Sequence, residues 1–220
     1  MQRTPEPELM LDPAQARAYA EADFAAPNAA FVQSLGALFP DLPHHLRALD
    51  LGCGPGDILL RLAAAHPGWE LLGIDGSAAM LDEGMDRVCA AGRESQVTLV
   101  QARLPDPALP DGQAELVISN SLLHHLPDPA VLWSELRRLG APGAAVLVVD
   151  LRRPADAAEV EALVERWAAL EPEILKRDFQ ASLHAAFTLA EVEAQLAAAG
   201  LALRCAELTD RHLAVWGRLP

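Results

Sequence analysis

Three alternating glycines, Gly52, Gly54 and Gly56, stand directly after the apolar run Ala48-Leu49-Asp50-Leu51 and directly before the helical pattern Ile58 to Ala65. Glycine lets the backbone turn sharply and approach a ligand with no side chain between them. This loop, with Cys53 inside it, is therefore built to lie against something. Two carboxylates flank it. Asp50 precedes the first glycine, and Asp75 ends the next apolar run, Leu71-Leu72-Gly73-Ile74-Asp75, where it can accept two hydroxyls at once. Further along, His124 and His125 follow the run Glu115 to Asn120, and an imidazole titrates close enough to neutrality to take a proton from a nucleophile.

The spacing restricts the ligand. In a dinucleotide site the glycines read G-x-G-x-x-G, and the helix that follows binds a pyrophosphate with its free N–H groups. Here they read G-x-G-x-G, and Asp50 would repel a pyrophosphate and attract a cation. The loop suits a ligand with a positive group and no phosphate, and Asp75 suits a ribose. S-adenosylmethionine has that character: an ammonium, a sulfonium and a ribose, without phosphate.

These residues need a frame that gathers strand ends. Short β-type runs alternate with helical patterns, the signature of a parallel sheet covered on both faces. The strands read as Arg47 to Leu51, Glu70 to Asp75, Val97 to Gln101, Ala114 to Ser119 and Ala144 to Asp150, then Ala202 to Leu208 and His212 to Gly217. The first five are near-continuously apolar, as doubly buried strands are. Asp128 is placed to cap a helix with Pro129 first and Gly140 just past its end. Thr188 and Glu191 form a capping-box pattern, and Gly200 stops the helix they open. A helix from about Ala155 to Leu170 sets Val160, Leu163, Val164 and Trp167 along one stripe, which reads as core. The stretch from about Glu171 to Phe187 stands outside the alternation and is placed to fold over the mouth of the sheet; within it, Lys176 to Phe187 shows no clean helical period and reads as a pocket wall. Thr209 to His212 reads as a hairpin turn. The expected organisation is one domain: a helical cap at 1–40 with a helix around Gln15 to Phe24, a cofactor-binding core at 41–154, a helical lid or insert at 155–190, and a C-terminal helix and strands at 191–220.

Composition removes several classes. A chain of 220 residues with 51% hydrophobic content has material for one full core. Its formal charge of −14 would repel a phosphate backbone, so no nucleic-acid partner is expected. Cys53, Cys89 and Cys205 are odd in number and show no C-x-x-C spacing, so neither a disulfide framework nor a metal is expected. With no apolar leader and no run of membrane-spanning length, the expectation is a cytoplasmic protein with no membrane partner and a small-molecule substrate.

At Leu49-Asp50-Leu51-Gly52-Cys53-Gly54-Pro55-Gly56 the chain resembles the first motif of the class I, Rossmann-like S-adenosylmethionine-dependent methyltransferases. Gly73 to Leu81 resembles the second motif, and Glu115 to Asn120 with Leu123-His124-His125-Leu126-Pro127-Asp128 resembles the fourth strand and its exit. Phe187 to Glu191 and Ala199-Gly200-Leu201 are similar to stretches of the family's small-molecule enzymes. The resemblance covers about Arg47 to Asp150. It implies an α/β fold: a doubly wound, seven-stranded sheet, mostly parallel with an antiparallel last strand and helices on both faces. It further implies S-adenosylmethionine as cofactor, with S-adenosylhomocysteine as product, lying across the C-terminal ends of the first strands.

On that resemblance, Gly52, Gly54 and Gly56 line the methionine part, Asp75 with Gly76 holds the ribose, and Asn120 and Ser121 line the route to the methyl group. Met80 packs on the adenine or simply fills the core. One position departs. Where the family has an acid accepting the adenine amino group, gapless comparison puts Arg103, which offers no acceptor. Backbone groups at Ala102, Arg103 and Leu104, or the side chains of Gln101 or Asp106, are left to serve. His124 and His125 fall where the family places residues near the methyl group, and His125 is the preferred base, with a structural hydrogen-bonding role as the alternative. Tyr19, Asp178, Ser182 and His184 are candidate substrate contacts, the alternatives being a helix anchor for Tyr19 and loop capping at the surface for the other three. Arg103 also keeps a second reading open, a non-catalytic cofactor-binding or partner-binding module on the same fold.

Overall fold

The apolar runs become the strands of one sheet, and amphipathic helices cover it from both sides. A computed structural model describes residues 1–6 and 11–220. In chain order it contains α1 (Pro13–Glu21), α2 (Ala25–Leu38), β1 (Arg47–Leu51), α3 (Asp57–Ala65), β2 (Glu70–Asp75), α4 (Ala78–Ala90), β3 (Val97–Gln101) and β4 (Ala114–Asn120). A short 3-10 turn (Leu123–His125) precedes α5 (Ala130–Leu139), β5 (Gly140–Leu151), α6 (Ala157–Ala168), α7 (Glu173–Ala185), α8 (Leu189–Ala199), β6 (Arg204–Glu207) and β7 (His212–Arg218).

The strands lie in the order β3-β2-β1-β4-β5-β7-β6, parallel except for β7, which runs antiparallel to both its neighbours. The direction of winding reverses between β1 and β4, and in such sheets ligands occupy the crevice beyond the C-terminal strand ends at that reversal. Gly52 leaves β1 there, and Asn120 ends β4 beside it.

Alternation along the strands feeds two cores. Leu49, Val117, Val146 and Val148 pack with Leu132, Trp133 and Leu136 of α5 and Val192 and Leu196 of α8. Ala48, Leu116, Ile118 and Leu147 pack with Phe31 and Leu35 of α2, Leu59 and Leu62 of α3, and Leu81 and Val88 of α4. A third cluster joins Val160 and Leu163 of α6 to Leu183 of α7. The Thr188–Glu191 capping box opens α8, and Gly200, at φ 62°, closes it in the left-handed conformation. Asp128 Oδ1 accepts from Ala130 N at 2.9 Å at the start of α5.

Two expectations are corrected. The stretch from Glu171 to Phe187 contains a regular helix, α7, whose inward side mixes Leu175 and Leu183 with Ser182 because part of it faces a polar cluster rather than the core. Its apolar period is therefore broken without the helix being broken. Trp167 does not join the core with Val160 and Leu163. It is 48% exposed, its indole N donates to Asp210 Oδ2 at 3.0 Å, and the Arg211 guanidinium lies 3.6 Å above its ring.

Candidate functional site

The loop after β1 is fixed to β2 by backbone bonds: Gly52 N and Cys53 N both donate to Ile74 O, at 2.8 and 3.0 Å. Gly52, Gly54 and Gly56 have φ of 74°, 50° and 73°, in the region that side chains resist. A Cβ on Gly54 would meet no atom within 4 Å, so this glycine faces open space, whereas one on Gly52 would come within 2.9 Å of Leu122. Gly56 caps α3 beside Leu99 and serves the turn. The Cys53 thiol is buried, directed toward Gly73 on the core side, and burial holds its pKa well above the usual range.

Asp75 ties the loops after β1 and β2 together. Its Oδ2 accepts from Gly54 N at 2.8 Å and its Oδ1 from Ser77 N at 2.8 Å. Burial raises its pKa, opposed by those backbone donors. A carboxylate has about four acceptor positions, so both oxygens keep capacity for a hydroxyl. Asp50 is different: it is 2% exposed, and its Oδ1 has no hydrogen-bond partner among the described residues. Burial, and then the neighbouring charge of Asp75, push its pKa up to about 8. A buried carboxylate without a donor is costly unless a cation or donor is supplied from outside.

A cleft of about 680 Å³ opens over these strand ends. One part is formed by Gly52, Gly54, Asp75, Gly76, Met80, Ala102, Arg103, Leu104, Asn120 and Ser121. Asp50, Cys53 and Asp57 line an adjoining cavity of about 410 Å³, which shares Tyr19, Gly52, Gly54 and Asn120 with the cleft. Ser121 holds φ 59°, a left-handed conformation costly for a residue with a Cβ and one that strained functional turns adopt.

The other part of the cleft is built from the turn after β4, from α7 and from the β6–β7 turn. His124 is 2% exposed, with Nδ1 2.6 Å from Asp150 Oδ1 and Nε2 3.4 Å from Glu6 Oε1. Asp150 also accepts from Leu123 N and Leu151 N. Burial alone would lower the His124 pKa, but the charge and hydrogen bond of Asp150, with Glu6 behind them, raise it overall. His125, with its side chain 17% exposed, has Nδ1 3.2 Å from the same Glu6 oxygen, and the two rings lie 4.2 Å apart. Ser182 Oγ donates to that oxygen at 3.0 Å. Burial raises the Glu6 pKa. Arg3 secures this N-terminal segment by donating to the carbonyls of His124 and Leu126.

Among the candidate substrate contacts, Tyr19, Asp178 and Ser182 line the cleft. Burial, then Asp75, pushes the Tyr19 hydroxyl up to about 12, and Gln15 of α1 donates to Asp178 of α7 at 2.8 Å. His184 is not a lining residue; its carbonyl accepts from Thr4 N. The sequence pattern assigns no site role to Glu6, Asp150, Trp167 or His212. Asp150 carried a signal, as an acid ending an apolar strand at the ligand side of the sheet. Glu6 carried none, lying in a segment without periodicity. His212 lines the cleft, and burial followed by Arg211 lowers its pKa to about 4, so its ring is neutral at pH 7.

A reversal point with a glycine loop, a buried acid before it and a second acid at the next strand end belongs to a Rossmann-like fold with a ligand cleft. The sequence profile of a family described as a methyltransferase domain matches residues 49–146. Residues 49–146 are thus similar to a methyltransferase domain, on a Rossmann-like sheet of strand order β3-β2-β1-β4-β5-β7-β6. It is 37% identical over 103 residues to trans-aconitate 2-methyltransferase of Methylobacterium radiotolerans, covering 46% of this chain and 36% of that protein. It is 29% identical over 166 residues to 27-O-demethylrifamycin SV methyltransferase of Amycolatopsis mediterranei, covering 76% and 57%. The alignments thus span 36% and 57% of the lengths of these two relatives. Among solved structures, a methyltransferase from Aquifex aeolicus superposes with a TM-score of 0.70 at 18% identity, over 95% of this chain and 99% of that one.

Proposed function

We propose that the chain binds S-adenosylmethionine in this cleft and transfers its methyl group to a small-molecule acceptor. The observation that carries the reading is the buried oxygen of Asp50 beside a glycine cradle, without a hydrogen-bond partner among the described residues: it lacks the donor that the ammonium of the cofactor's methionine end would supply. Gly52 and Gly54 would take the methionine part against bare backbone, Asp75 would accept the ribose hydroxyls, and Met80 with Ala102, Arg103 and Leu104 would border the adenine. The bound cofactor supplies an electrophilic methyl on a positively charged sulfur.

What this chain contributes is alignment and exclusion of water, which can be worth about 7 to 11 kcal/mol. Asn120 and Ser121, which line the cleft, would border the path of the methyl group. α1 and α7, joined through Gln15 and Asp178, act as cap and lid. An acceptor that carries a proton gives it to His125, the more exposed of the two imidazoles, while His124 is engaged by Asp150 and orients its neighbour. Relatives named for trans-aconitate and for 27-O-demethylrifamycin SV support a small-molecule acceptor. Among the described residues no helix is long and apolar enough to cross a membrane.

The test has two stages. Calorimetric titration is expected to show binding of S-adenosylmethionine and S-adenosylhomocysteine but not of NAD. Incubation of methyl-labelled cofactor with a metabolite extract is then expected to place label in a low-molecular-weight product. Cofactor binding with no labelled product under any extract would favour a non-catalytic module.

A further inference from the structure

We propose that Glu6, His124 and His125 form a binding site for a divalent cation of the zinc type at the acceptor end of the cleft. Each offers one ligand atom, and the three atoms lie within 4.8 Å of one another. The separations fit closely: Glu6 Oε1 is 3.4 Å from His124 Nε2 and 3.2 Å from His125 Nδ1. Two ligands of a tetrahedral ion with bonds of about 2.0 to 2.1 Å are about 3.3 to 3.4 Å apart. Two imidazoles and one carboxylate also match the donor set that borderline divalent ions select.

The surroundings are those of a ligand set already oriented. Asp150 takes the Nδ1 side of His124, which directs the Nε2 lone pair toward Glu6, and a carboxylate behind a histidine is the usual support of a metal-bound imidazole. Ser182 does the corresponding service for Glu6 by donating to Oε1 at 3.0 Å. All three ligands come from protein, and His124, His125 and Ser182 line the cleft, so a fourth position faces it, as in catalytic rather than structural zinc sites. An acceptor entering as its oxygen or sulfur anion would find that position, and with the cation bound His125 serves as a ligand, its role as base belonging to the metal-free protein. The inference rests on the proposed methyl transfer only for that consequence; the binding of the cation does not depend on it.

The experiment uses untagged, chelator-treated full-length protein without cofactor. Zinc is titrated by calorimetry and cobalt by visible absorption, which reports tetrahedral nitrogen and oxygen ligation directly. One equivalent of each is expected to bind, with affinity falling at least tenfold in Glu6→Gln and in His125→Asn while both variants keep their melting temperature without metal. His45→Asn, whose ring lies beside Gly68 O away from the cleft, is expected to bind as the wild type does. Absence of binding, or binding that survives Glu6→Gln and His125→Asn, overturns the proposal. If zinc fails to bind while S-adenosylmethionine still does, the cation site is excluded and the methyltransferase reading stands.

Discussion

Asp150 Oδ1 lies 2.6 Å from His124 Nδ1, and the same carboxylate accepts from Leu123 N and Leu151 N, so one buried side chain fixes both the imidazole and the turn that carries it. Asp150→Asn weakens charge-assisted bonds and is expected to cost about 1.5 to 3 kcal/mol. Because the folded-state pKa of His124 is raised, its protonation stabilises the fold fully below the unfolded value of about 6.5 and less as pH rises through the folded one. Urea denaturation of wild type and His124→Asn across pH 5 to 9 should therefore show a gap that narrows toward alkaline pH. A constant gap would mean that the pair carries no proton-linked stability.

Asp50 makes the opposite bargain between stability and binding. Its folded pKa of about 8 lies far above that of an unfolded carboxyl, so it favours the fold at low pH and progressively disfavours it as pH rises toward 8. Asp50→Asn should flatten that dependence and raise the melting temperature of the ligand-free protein at neutral pH. It should also weaken S-adenosylmethionine binding at least tenfold, through loss of the carboxylate that meets the ammonium. A variant that binds normally would take Asp50 out of the site.

The cradle was legible in the sequence because backbone geometry leaves a local mark: glycine adopts the φ values of Gly52, Gly54 and Gly56 without the strain that a side chain brings. The strands were legible for a similar reason, since burial on both faces demands continuous apolar runs. The acceptor end was only half legible. His124 and His125 stood out by type, but Glu6 reaches them across a separation that no local period encodes, and α7 hid its helical period by turning Ser182 toward that cluster. Trp167 shares the stripe's helical spacing yet lies where the helix outruns the core, and spacing alone does not mark that point.

Gly54 and Gly73 separate ligand space from packing space. A Cβ on Gly54 meets nothing within 4 Å, so Gly54→Ala should lose only the roughly 1 to 2 kcal/mol of left-handed strain while obstructing the cofactor. A Cβ on Gly73 would come within 2.6 Å of Leu59 and 2.8 Å of Cys53 Sγ, so Gly73→Ala should disturb the core itself. Asp75→Ala should act on both, losing binding by about 1.5 to 3 kcal/mol per hydroxyl and loosening the two loops it joins. Calorimetry alongside thermal melting distinguishes the three; normal affinity in Gly54→Ala would exclude the loop from the ligand.

The two histidines differ in what they can exchange with an acceptor, and kinetics should expose the difference. His124 is buried and its Nδ1 is taken by Asp150, whereas the His125 side chain is 17% exposed and lines the cleft. His125→Asn should therefore leave cofactor affinity and melting temperature near wild type while lowering kcat by about a hundredfold, the contribution of a positioned general base. His124→Asn should lower the melting temperature as well, because it breaks the Asp150 pair. With a protonated acceptor, kcat of the wild type should rise with pH through the base's titration, and that limb should vanish in His125→Asn. An acceptor already ionised, such as a thiolate, would show no such limb in either protein. Equal profiles for wild type and both variants on a protonated acceptor would remove both imidazoles from proton transfer and direct attention to Tyr19 and Asp178.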